Sequence, residues 1–103
     1  MKEVQDRVSS LVKKYDLESS IEVRYIDLVS EVGELGKEIL KSSHYGKESF
    51  SSTKDFELEL GDVLFSLICV ANSLNMDLDQ AISNVLKKYH DRFSTKGNIG
   101  SGN

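Results

Sequence analysis

Two runs of carboxylates repeat at helical spacing: Asp27, Glu31, Glu34 and Glu38 in one, Asp55, Glu59 and Asp62 in the other. Each stands one position before an apolar residue of a periodic series, Leu28, Val32, Leu35 and Ile39, then Phe56, Leu60 and Val63. At about 100° per residue, both acidic stripes therefore flank a buried seam instead of facing open solvent. Like charges one turn apart repel by a few tenths of a kcal/mol in water, and by about 4 kcal/mol per pair at 4 Å where the effective dielectric is near 20. Arg24 and Lys37, the nearest basic residues, do not interleave with the acids so as to neutralise the whole stripe, which therefore calls for a cation from outside the chain. Oxygen-only donors fit a hard ion, Mg²⁺ with Mn²⁺ as a substitute. If the two helices end level at their connection, Glu34 and Asp62 each lie roughly 13 Å from it, and Glu31, Glu38 and Glu59 roughly 18, 8 and 9 Å, so five carboxylates share one patch.

Other chemistries fit less well. A di-iron bundle needs Glu-x-x-His pairs, whereas Lys41 and Lys87 stand three residues before His44 and His90. Both histidines are assigned to loop or surface. Cys69 lies in the most apolar run, residues 63–71, and reads as a buried, inert thiol. Gly33 and Gly36 sit inside a helical pattern and match no phosphate-binding loop. The competing view of the acids is a solvated face on a non-catalytic helical interaction module. Two motifs in the same phase, level across a hairpin, favour the metal site.

The elements that position these groups are four helices. Val4, Val8, Leu11, Val12 and Tyr15 mark the first, over about residues 2–15, and Asp16 or Ser19 can cap the next. The second has the seam Ile21, Tyr25, Leu28, Val32, Leu35 and Ile39, and ends in the serine-rich connection 42–53. The third carries Phe56, Leu60, Val63, Leu67, Val70 and Leu74. In the fourth, Asp77 and Gln80 resemble a capping box ahead of Leu78, Ile82, Val85, Tyr89 and Phe93, and the helix fades near Ser94. These imply an all-α fold, an antiparallel four-helix bundle. Residues 1–93 form a single domain and residues 94–103 a flexible tail. Val29, Gly33, Gly36 and Leu40 form a further small or apolar stripe that predicts close backbone approach and, with the apolar third helix, a homo-oligomer, dimer or tetramer.

Composition sets the outer bounds. The chain has 103 residues, 39% of them hydrophobic and 29% charged, enough for one core. No proline interrupts the helices. Thirteen basic against 17 acidic residues, a net charge of −4, give no footprint for nucleic acid or an anionic membrane. A single cysteine, no signal-like start and no apolar run near the roughly 17–25 residues of a bilayer span place the chain in the cytoplasm by expectation.

The segment Glu31-Val-Gly-Glu34, followed by Glu59-Leu-Gly-Asp62, resembles the E-x-x-E … E-x-x-D signature of the MazG-like, all-α nucleoside triphosphate pyrophosphohydrolases. The likeness runs from about Leu28 to Phe93. It implies that Glu31, Glu34, Glu59 and Asp62 hold Mg²⁺, which grips a triphosphate while water attacks the α-phosphorus, giving a nucleoside monophosphate and pyrophosphate. Many members begin the first motif with two adjacent glutamates; this chain has Ser30 before Glu31. Lys88-Tyr89-His-Asp-Arg92-Phe93 is similar to the family's K-[FY]-x-x-R-F, which implies phosphate contacts by Lys88 and Arg92, one turn apart. Glu34, Glu38 and Glu59 are candidates to take the proton of the attacking water, because crowding by like charge raises a carboxyl pKa. The loop around His44, Tyr45 and Phe50 offers a place for a base to stack.

Overall fold

The computed structural model describes residues 1–96 as four helices: α1 (Lys2–Lys14), α2 (Ile21–Ser42), α3 (Lys54–Ser73) and α4 (Leu78–Lys96). No strand occurs among the described residues, and no helix there is long and apolar enough to cross a membrane. The all-α expectation holds. The starts of α2, α3 and α4 are written in side chains that satisfy otherwise orphaned amides. Ser20 Oγ accepts from Val23 N and Thr53 Oγ1 from Phe56 N, each at 3.2 Å. Asp77 Oδ1 accepts from Asp79 N at 2.8 Å and Gln80 N at 3.3 Å. Ser20, rather than Asp16 or Ser19, caps α2. Asp16 instead follows α1 in the left-handed region, at φ 55°. Gln80 turns away from a capping box and donates to Asn84 Oδ1 at 3.0 Å. α4 continues to Lys96, past Ser94; residues 97–103 of the expected tail lie outside the described residues.

α2 and α3 form the central antiparallel pair, and α1 rests on α3. Ile68, Cys69 and Ala71 of α3 are buried with Val12 of α1. Cys69 is core, as its sequence surroundings predict, and burial pushes its thiol pKa up, which keeps it protonated and inert. α4 does not pack along any other helix, so one chain leaves its bundle open on that side. The radius of gyration is 17.0 Å, against about 13 Å for a compact chain of 100 residues.

The seam differs from the expected one in a way that matters for the site. The half-buried stripe of α2 runs through Leu28, Glu31, Leu35 and Glu38, while Tyr25, Val32 and Ile39 are exposed. On α3 the inner stripe runs through Phe56, Glu59, Val63, Ser66 and Val70, while Leu60, Leu67 and Leu74 are exposed. Both helices are rotated in the same sense, so the acids alternate with apolar residues within the seam. Each helix has more apolar surface than one neighbour covers, and the chain buries the stripe that contains the carboxylates. Gly33 and Gly36 lie on the exposed side of α2, where an added Cβ would meet nothing within 4 Å. The close approach expected of them does not occur within one chain.

Candidate metal centre

Glu31 reaches from α2 toward α3, where Glu59 and Asp62 stand one turn apart. One carboxylate oxygen from each lies within 4.8 Å of the others. Glu31 and Glu59 are half-buried and Asp62 is exposed, so the cluster opens to solvent at the Asp62 side. No histidine or cysteine joins it among the described residues. Three acids this close offer a hard divalent cation oxygen donors and leave positions for water or phosphate.

The electrostatics follow from the seam. Partial burial raises the Glu59 pKa above its ordinary value, and the charges of Asp62, Glu31, Glu34 and Glu38 add to the rise in that order. The other four carboxylates of the patch singled out in the sequence therefore all act on Glu59. Their placement is unequal. Glu34 is exposed and stands about 60° around α2 from Glu31, outside the group of three. Glu38 is half-buried, with its Oε2 3.7 Å from Lys41 Nζ. Within the seam, Glu31 closes on Glu59 and Asp62.

The remaining candidates lie apart. Lys88 and Arg92 ride on α4, which does not pack along α2 or α3, and the structure does not bring them into the carboxylate cluster. Lys88 Nζ lies 4.9 Å from the centroid of the Tyr89 ring. His44 is exposed in the α2–α3 connection, with Nε2 3.5 Å from Glu48 Oε1, and His90 is exposed on α4. Phe50 packs edge-on against Phe56, one turn before Glu59, with ring centroids 5.0 Å apart. Tyr45 is exposed and takes a left-handed backbone, φ 60°.

A residue that sequence reasoning passed over is Gln5, which is buried and bonded to the α3–α4 turn. The available signal was its position seven residues before Val12, on the same face of α1.

Fold and site together define a class: an all-α protein whose central helix pair gathers Glu31 of an E-x-x-E motif and both acids of an E-x-x-D motif into a cluster that opens to solvent. Comparison with known proteins narrows it. The model of the MazG nucleotide pyrophosphohydrolase domain matches residues 20–95. The chain belongs to the MazG family. It is 41% identical over 68 residues to the uncharacterized protein YpjD of Bacillus subtilis strain 168, a match spanning 63% of this chain and about 60% of the length of that relative. Among solved structures, it is similar to that of the Bacillus-conserved MazG protein, a nucleotide pyrophosphohydrolase, at TM-score 0.72 and 36% identity over 85% of this chain and 86% of that one. It is also similar to the crystal structure of YPJD from Bacillus subtilis, at TM-score 0.74 and 35% identity over 89% of this chain and 94% of that one.

Proposed function

We propose that this chain is a Mg²⁺-dependent nucleotide pyrophosphohydrolase that cleaves a nucleoside triphosphate to the monophosphate and pyrophosphate. The observation that carries the reading is the convergence of Glu31, Glu59 and Asp62 oxygens within 4.8 Å across the α2–α3 pair of a MazG-family chain. These three residues are the ones to hold the cation; Glu34, which the family resemblance adds to the set, stands beside them outside the group of three. Once bound, the ion neutralises phosphate charge and so eases attack on a phosphoanhydride.

The chain's own residues do the rest. Water oxygen bonds to the α-phosphorus, the bond from that phosphorus to the bridging oxygen breaks, and its electron pair leaves with pyrophosphate. The water's proton passes to a carboxylate. Of Glu34, Glu38 and Glu59, Glu59 belongs to the cation cluster and Glu38 is turned toward Lys41, which leaves Glu34 as the acceptor. Lys88 and Arg92 contact the phosphates when a second copy covers the open face and completes the bundle around α4.

A homo-oligomer is supported by area. The chain exposes 7776 Å², roughly 2000 Å² more than a compact monomer of this mass. A standard interface buries only about 800 Å² per partner.

The test is a panel of ribo- and deoxyribonucleoside triphosphates with Mg²⁺, products resolved by ion-exchange chromatography. Monophosphate and pyrophosphate in equal amounts are expected. Orthophosphate alone, or no turnover of any member, overturns the reading. Asp62→Asn is expected to lose both Mn²⁺ binding and turnover. Glu34→Gln is expected to keep Mn²⁺ binding by calorimetry and lose turnover.

A further inference from the structure

Gln5 lies on α1, before the residues matched by the family model, and is 6% exposed. A glutamine taken out of water costs stability unless its amide is bonded, and this one is used at both ends. Its Nε2 donates to Asn72 Oδ1 at 3.0 Å and to the Met76 carbonyl at 2.8 Å. Its Oε1 accepts from Leu78 N at 3.0 Å. Asn72 Nδ2 donates back to the Gln5 carbonyl at 3.0 Å. The bonds therefore grip the last turn of α3, the turn that follows it, and the first amide of α4. Leu78 N is one of the amides that a helix start leaves without an internal partner, so Gln5 caps α4 from another helix. A second tie follows the same line: Lys2 N donates to Asp79 Oδ2 at 3.1 Å.

This matters because, among the described residues, α4 does not pack along the length of another helix, so the turn that launches it has a large say in its direction. The turn that launches it holds Asn75 in the left-handed region, at φ 53°. At about 1.5 Å per residue, Arg92 lies roughly 21 Å along the axis from Leu78, so a 10° change in exit angle moves it by about 4 Å. That exceeds the tolerance of a hydrogen bond.

We infer that Gln5 is a positioning residue: by clamping the α3–α4 turn through Asn72, Met76 and Leu78, it sets the angle at which α4 leaves the bundle. The part of this inference that concerns phosphate contacts rests on the proposed function; the angle itself does not. The experiment uses the full chain in a Cys69→Ala background, with nitroxide labels at Glu57→Cys on α3 and Ser83→Cys on α4, diluted into unlabelled protein so that only distances within one chain are read. Pulsed electron spin resonance is expected to give one narrow distance distribution with Gln5 present. Gln5→Leu is expected to broaden or shift it while helical circular dichroism persists. Gln5→Glu keeps the acceptor but turns a carboxylate oxygen toward the Met76 carbonyl, and is expected to act in the same direction. It decides the matter if Gln5→Leu does not fold. An unchanged distribution in a folded variant overturns the inference, as does a broad distribution with Gln5 intact. If triphosphate is a substrate, both variants raise KM several-fold with Mn²⁺ affinity unchanged. A fall in Mn²⁺ affinity would instead mark general loosening of the fold and count against the positioning role.

Discussion

Glu59 is held where its charge is least welcome: half-buried in the α2–α3 seam and surrounded by Asp62, Glu31, Glu34 and Glu38. Its folded pKa lies above the ordinary carboxylate value, so the native state binds its proton more tightly than the unfolded chain does. The stabilising contribution of that proton is fully present below the ordinary glutamate range and is lost as pH rises through the raised value. At neutral pH, without a cation, the residue therefore opposes folding. Glu59→Gln is expected to raise the melting temperature of cation-free protein near neutral pH, and the advantage over the unsubstituted chain should shrink as pH falls through the raised value. Mn²⁺ is expected to stabilise the unsubstituted chain, since a ligand that binds only the folded state raises its stability by mass action, and the same substitution should abolish that gain. Thermal melts across pH, with and without Mn²⁺, check both signs. If Glu59→Gln melts below the unsubstituted chain at neutral pH without cation, the seam is not under charge strain.

At the scale of elements, the four helices were legible because local chemistry fixes them, although Ser20 rather than Asp16 or Ser19 caps α2 and α4 runs on to Lys96. Serine, threonine and aspartate sit at the starts of α2, α3 and α4, and the apolar series run without a proline. Thr53→Ala removes the acceptor for Phe56 N and is expected to cost about 1 kcal/mol, a drop in melting temperature of about 4–8 °C for a domain of this size. A calorimetric scan reads it directly, and an unchanged melt would show that water replaces the cap. The rotation of the seam was not legible. Tyr25, Val32 and Ile39 continue the apolar series as well as Leu28 and Leu35, which are half-buried, and periodicity cannot say which side of that series meets the neighbour within the chain. The carboxylates were found by type and spacing, but their inequality came from that rotation, which turns Glu31 inward and leaves Glu34 aside. Gln5 was missed because a polar residue in an amphipathic helix ordinarily faces water, and its partners, Asn72, Met76 and Leu78, are more than sixty residues away in sequence.

For the whole molecule, the main fact is incompleteness. α4 stands apart from the other helices, and its Ile82, Leu86 and Phe93 are exposed, as are Val32, Leu60 and Leu67 on the outer faces of α2 and α3. Apolar faces this extensive are covered in solution or drive aggregation, and a two-fold arrangement lets each copy use its own open faces to cover the other's. Val32→Glu with Leu67→Glu places charge on both outer faces without touching Glu31, Glu59 or Asp62. Sedimentation is expected to shift from an oligomer to a monomer, because two glutamates cannot be buried unpaired in an apolar contact. The carboxylate cluster lies within one chain, so the monomer should still bind Mn²⁺ with its original stoichiometry. Turnover should be lost too, if the proposed phosphate contacts by Lys88 and Arg92 depend on the completed bundle. Loss of Mn²⁺ binding along with assembly would mean that the cation site itself is built across copies, whereas an active monomer would show that α4 folds back onto its own chain when substrate arrives.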